Sequence, residues 1–194
     1  AFLLDKKYEM TFDLYPVNVC YNVVLAVERN ARTLDYEETS KDFTFNAAAT
    51  HPAEDREIYV LVVGETSRAL NWSLYGYDRE TNPKLSEVSG LTAFTNVLTQ
   101  SNTTHKSVPM LMSAVSAENF DSIYHQKGII TAFKEAGFKT AFFSNQRYNN
   151  SFIDFFGKEA DHYDFIKEDS LTAGQNLSDD YLLALAVSYT HLRA

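Results

Sequence analysis

Six consecutive residues, 58–63 (Ile-Tyr-Val-Leu-Val-Val), closed by Gly64, limit the fold more than any other stretch of this chain. The run is apolar and β-branched almost throughout and offers water no polar face, so it predicts a strand buried on both faces of a parallel sheet. A parallel sheet needs crossover connections and helices laid over it. Residues 92–98, 139–144 and 162–166 are the further candidate strands. Residues 128–136 are the clearest helix, with Ile129, Ile130 and Phe133 on one stripe and Gly137 as a stop. Strands alternating with helices predict an α/β sandwich.

The segments flanking this region read differently. Val17, Cys20, Tyr21, Val24, Val27 and Ala31 recur at helical spacing, so residues 16–32 form an expected amphipathic helix with Pro16 at its entrance. Its stripe is expected to pack on the main domain rather than lie on a membrane surface. Residues 35–56 are polar and read as a linker or stem. The expected organisation is therefore helix and stem over residues 1–50 and a compact domain over residues 51–186. The last eight residues, 187–194, are expected to be a non-native tail, which makes residues 178–186 the last native helix. The chain opens on Ala1 with no initiator Met and no basic-then-apolar leader, and is expected to be cut from a longer protein.

Charge and cysteine usage remove several classes of function. Seventeen Lys and Arg against 26 Asp and Glu leave a net charge of −9, which argues against a protein that tracks nucleic acid, since phosphate neutralisation requires a basic excess on some face. The longest apolar runs, residues 58–63 and 181–187, are far shorter than the roughly 20 residues a membrane-spanning helix needs. Cys20 is the only cysteine, so neither an internal disulfide nor a cysteine-rich zinc site can form.

Two segments carry residues suited to chemistry. In Val62-Val63-Gly64-Glu65-Thr66-Ser67-Arg68, Glu65 follows the expected strand at the C-terminal edge of the sheet, where open α/β folds bind ligands; it could equally complement the start of a following helix. In Ser101-Asn102-Thr103-Thr104-His105-Lys106-Ser107-Val108-Pro109, a run of hydrogen-bonding residues leads to a helix entrance, with Pro109 expected in the first turn. Free N–H groups at such an entrance attract anions. A threonine hydroxyl is a weak nucleophile at neutral pH, however, and without a base or metal beside it these hydroxyls are helix caps.

Taken in order, Val63-Gly64-Glu65-Thr66-Ser67-Arg68, then Ser73-Leu74-Tyr75-Gly76-Tyr77-Asp78-Arg79-Glu80-Thr81-Asn82-Pro83, then Thr104 three residues before Ser107-Val108-Pro109, resemble the soluble catalytic domain of the bacterial phosphoethanolamine transferases of the alkaline phosphatase and sulfatase superfamily. The resemblance covers roughly residues 58–165 and implies an alkaline phosphatase/sulfatase-like α/β/α sandwich, truncated here at its C-terminus. It implies Glu65 as a zinc ligand and Thr104 as both nucleophile and zinc ligand. It also implies transfer of phosphoethanolamine from phosphatidylethanolamine to lipid A or core sugars through a phosphothreonine. The parent is expected at the periplasmic face of the bacterial inner membrane, held by a membrane domain ahead of the stem.

The chain departs from that pattern at several points. Gln100 stands where the lipid A enzymes place a cysteine, and Asn150 where they place a lysine. The family's remaining zinc ligands, an Asp-His pair, have no counterpart before Ala194, so this chain by itself is expected to be inactive and to bind zinc weakly. The sulfatases proper modify a residue in a Cys/Ser-x-Pro-x-Arg context, unlike Thr104-His105-Lys106-Ser107. A phosphoglycerol transferase or phosphodiesterase of the same superfamily and an inactive partner-binding module are the competing expectations.

Overall fold

The computed structural model describes residues 14–50, 52, 57–64, 67–168 and 178–192. In chain order its helices are α1 (Val17–Leu34), α2 (Tyr36–Thr39), α3 (Pro83–Ser86), α4 (Thr104–Leu111), α5 (Ile129–Glu135), α6 (Phe152–Lys158) and α7 (Asp179–Leu192). Two strands, β1 (Ala141–Ser144) and β2 (His162–Phe165), pair in parallel with Ala141 opposite His162 and Ser144 opposite Phe165. Short 3-10 turns over Ala69–Asn71, Ser73–Tyr75, Ala117–His125 and Ile166–Glu168 fill the connections.

Parallel strands cannot be joined by a hairpin, and here α6 is the crossover between β1 and β2. Ser151 opens α6 through a capping box: its side chain takes the N–H of Asp154, and the Asp154 carboxylate takes the N–H of Ser151 at 3.1 Å. Gly157 allows the helix to lie close on the sheet. A Cβ at that position would sit 2.5 Å from ring carbons of Phe142 on β1, so only glycine fits without displacing the ring.

The core forms where α4, α6 and the Ala117–His125 turn meet. Met110, Met112, Val115, Ile123, Tyr124 and Phe156 are buried together, with Val108, Phe120, Ile130, Phe142, Phe152 and Phe155 packed around them. Tyr36 completes this core although it lies in the polar stretch read as a stem. Its ring stacks on Phe155 with centroids 5.1 Å apart, and Phe152 meets it edge-on at 5.3 Å. Nearby, Ser40 is fully buried and donates to the Tyr36 carbonyl at 2.7 Å. The Glu135 carboxylate accepts the N–H groups of Phe45 and Ala47, each at 3.0 Å, which holds its pKa below the ordinary value. Residues 36–47 are thus sewn to the domain by one buried ring and a series of hydrogen bonds.

Two of the four expected strands are present. Residues 139–144 and 162–166 contain β1 and β2, and the expected helix at 128–136 is α5. Residues 58–63 and 92–98 do not form strands. The first run makes no ladder with any described segment, and Ile58, Val60 and Val62 are exposed at 60%, 73% and 83%; the Tyr59 ring meets Phe133 and Phe138 at 5.6 and 5.7 Å. An apolar run becomes a strand only when a neighbour takes up its backbone N–H and C=O groups, and no described segment forms a ladder with this one.

Helix α1 covers the predicted 16–32 span, but none of its residues is buried, so its apolar stripe is not packed against the described domain as expected. No described helix is long and apolar enough to cross a membrane. Helix α7 runs without a break from the expected 178–186 helix to Leu192; Tyr189 stacks on His162 with centroids 5.1 Å apart.

Candidate functional site

Thr104 is the first residue of α4, and Thr103 is its N-cap in an extended conformation. The Thr103 carbonyl accepts the N–H groups of Lys106 and Ser107 at 3.0 and 2.9 Å, which starts the helix. The Thr103 side chain does not cap the helix, because its hydroxyl lies 3.2 Å from Ser101 Oγ instead. Thr104 is therefore an exposed residue beside an entrance where backbone dipoles favour negative charge. The other end of α4 is anchored, with Pro109 and Met110 buried and α4 packed on α6.

Pro109 is the sixth residue of α4 rather than a first-turn residue, which corrects the expected helix entrance. The helix starts at Thr104, so the carbonyl left without a donor by Pro109 is that of His105, an exposed residue within reach of water. Gln100 Oε1 accepts the N–H of Ala117 at 2.8 Å, and so ties the loop ahead of Thr104 to the core by a hydrogen bond. Asn150 adopts a left-handed φ of 59°, a conformation asparagine tolerates better than lysine would.

Glu65 lies outside the described residues. The segment after it is organised by side chains the sequence reading treated only as a motif. Asn82 Oδ1 accepts from Ser73 Oγ at 2.6 Å and from Leu74 N at 3.2 Å. Thr81 Oγ1 accepts from Ser73 N at 3.0 Å and donates to the Asn71 carbonyl at 2.9 Å. Gly76, with φ of +95°, closes the Ser73–Tyr75 turn in a conformation that favours glycine. Ser73, Thr81 and Asn82 hold this loop folded back on itself, with Gly76 at its turn.

Zinc takes at least three protein ligands at a catalytic site. Among the described residues no three His, Cys, Asp or Glu side chains gather. With Glu65 outside them, Thr104 is the only expected ligand in view, and the described residues alone do not fit the ion.

The parallel crossover and the helix-entrance threonine place the chain among α/β proteins that gather their chemistry at the ends of strands and helices. It belongs to the sulfatase family: the family model described as Sulfatase matches residues 57–193, within the alkaline phosphatase-like superfamily. Its relatives include phosphoethanolamine transferase CptA of Salmonella typhimurium, 27% identical over 139 residues, covering 68% of this chain and 24% of the relative. Phosphoethanolamine transferase EptA of Escherichia coli K12 is 38% identical over 84 residues, or 42% of this chain and 15% of that protein. Phosphatidylethanolamine transferase Mcr-1 of Escherichia coli is 36% identical over 96 residues, or 46% and 18%. The chain thus spans about a quarter or less of the length of these relatives. No solved structure matches it.

Proposed function

We propose that the intact protein transfers phosphoethanolamine from phosphatidylethanolamine to lipid A or core sugars, with Thr104 as the nucleophile. The observation that carries this reading is the position of Thr104, exposed at the first residue of an eight-residue helix whose other end is packed on α6. In the first step Thr104 Oγ1 bonds to the donor phosphorus, the bond from phosphorus to the glycerol oxygen breaks, and the leaving diacylglycerol takes the proton the threonine gives up. In the second, an acceptor hydroxyl attacks phosphorus, the Oγ1–P bond breaks, and the proton returns to Thr104. Splitting one displacement into two is the advantage of a covalent intermediate. The N–H groups at the entrance of α4 stabilise the charge on the phosphoryl oxygens.

In this reading zinc is held by Glu65 and Thr104 together with further ligands of the intact protein, and the steps above rest on the protein's own groups. Donor and acceptor are both lipids, so the intact protein works at the periplasmic face of the bacterial inner membrane, anchored by a membrane domain. The names of CptA and EptA support phosphoethanolamine as the transferred group.

The test is intact-mass analysis of the full-length protein incubated with phosphatidylethanolamine and no acceptor. A phosphoethanolamine adduct is expected, mapping to Thr104, absent in Thr104→Ala and retained in part by Thr104→Ser. An adduct on Thr103 or Ser107, or transfer that survives Thr104→Ala, overturns the assignment; no adduct from phosphatidylethanolamine but a phosphoglycerol adduct from phosphatidylglycerol changes the donor.

A further inference from the structure

Gln100 closes the chain into a ring around α4. Its carboxamide oxygen accepts the N–H of Ala117 at 2.8 Å, so a residue ahead of Thr104 is held against one beyond the far end of the helix. A backbone N–H can only donate, which fixes Oε1 as the end of the carboxamide that faces Ala117. Ala117 is a firm anchor. It opens the 3-10 segment Ala117–His125, whose Ile123 and Tyr124 are buried in the core. Ser116, just before it, donates through both its N–H and its hydroxyl to Asn119 Oδ1, at 2.7 and 3.0 Å. N–H groups in a first helical turn have no partner within their own segment, and Gln100 supplies one from across the fold.

The approach to Thr104 has little packing to hold it. Val97 and Leu98, ahead of Gln100, are exposed at 72% and 89%. The other hydrogen bonds of the loop among the described residues are local: Thr99 Oγ1 donates to the Ser101 carbonyl at 2.9 Å, Ser101 Oγ lies 3.2 Å from Thr103 Oγ1, and the Thr103 carbonyl starts α4. Such bonds shape the loop without attaching it to the core. The far end of α4 is fixed independently, by Pro109 and Met110 in the core and by the Ile129 N–H on the Met112 carbonyl at 2.6 Å. The bond from Gln100 to Ala117 therefore restrains the end at which Thr104 stands. Both of its partners are exposed, so water can replace the carboxamide as an acceptor and the bond adds little to global stability. Water cannot tie residue 100 to residue 117. The contribution is placement, and a reacting group displaced by about 1 Å can lose about a hundredfold in rate.

We propose that Gln100 is a positioning residue: by holding the loop to Ala117 it keeps the Thr104 hydroxyl in the place from which it attacks the donor phosphorus. The inference rests on the proposed transfer for the role of Thr104, and on the Gln100 to Ala117 bond for the restraint itself.

Two measurements test it, each on the parent, on Gln100→Ala and on Gln100→Glu. Glutamate keeps an oxygen for the Ala117 N–H, whereas alanine keeps none. The first is the rate of adduct formation on Thr104 in the full-length protein at saturating phosphatidylethanolamine, with the donor concentration for half that rate and the melting temperature. Gln100→Ala should slow the rate about tenfold or more while half-saturation and melting temperature stay put, and Gln100→Glu should return it to within about twofold of the parent. The second is backbone amide relaxation in the full chain, which reads the restraint without turnover. Order parameters of Asn102, Thr103 and Thr104, near about 0.85 in the parent, should fall below about 0.6 in Gln100→Ala and recover in Gln100→Glu. The proposal is overturned if the alanine variant matches the parent in order parameters or in rate, if only half-saturation or melting temperature moves, or if glutamate fails to rescue. A parent that forms no adduct on Thr104 removes the transfer reading, and the restraint by Gln100 is then judged separately by the order parameters.

Discussion

The Tyr36 hydroxyl reaches Glu159 Oε1 at 3.3 Å and the Gln126 carbonyl at 2.8 Å, joining the polar N-terminal stretch to the C-terminal end of the crossover helix. Burial and the neighbouring Glu159 carboxylate both raise the pKa of this phenol, so it remains a donor throughout the working range of pH. Tyr36→Phe keeps the ring stacking and removes only the hydroxyl. It should cost about 1–3 kcal/mol, the range for leaving buried acceptors without their donor. Urea denaturation of the two proteins measures it, and identical midpoints would show that water replaces the hydroxyl at no cost.

Glu159 itself makes stability depend on pH. Burial raises its pKa above the ordinary 4.5, against the opposing pull of the Gly128 N–H and the Thr131 hydroxyl. The folded protein therefore holds this proton more tightly than the unfolded chain. The resulting stability is present in full below about pH 4.5 and is lost as pH rises through the folded value. Glu159→Gln cannot titrate and should flatten that fall. Denaturation midpoints compared across the interval from about pH 4 to about pH 7 decide the matter; equal slopes in the two proteins would rule Glu159 out as the source.

Gly157 is set against the Phe142 ring, and Gly157→Ala places a methyl 2.5 Å from ring carbons. Overpacking of this kind costs about 1–3 kcal/mol. Phe142→Leu combined with Gly157→Ala should recover part of the loss, because the smaller side chain can give way. If the double variant is as unstable as the sum of the two single ones, the contact is not where the cost arises.

Thr103→Ala should be nearly silent. Capping threonines contribute about 0.5–2 kcal/mol, but the Thr103 hydroxyl faces Ser101 instead of the helix N–H groups, which puts the expected loss at the low end, about 0.5 kcal/mol. A thermal melt distinguishes this from a full capping loss of several degrees.

These features differ in how far the chain alone reveals them. Periodicity showed α1 and α5, and short β-rich runs showed β1 and β2, since each carries its signal within its own residues. Residues 58–63 carry as strong a signal and form no strand, because a ladder depends on a partner that the run does not contain. Tyr36 was invisible for the opposite reason: one aromatic among Asp35, Glu37 and Glu38 makes no pattern, and its burial is decided by Phe152 and Phe155 more than a hundred residues away. Thr104 and Glu65 emerged from motif order, which locates residues without their geometry.

Only Asp35 separates α1 from α2, and its own backbone belongs to both: its N–H bonds back to Ala31, and its carbonyl accepts from Glu38 and Thr39. There is no slack at this joint. Helix α1 therefore enters the domain through a single residue, directly beside the Tyr36 ring that is buried in the core and stacked on Phe155 of α6.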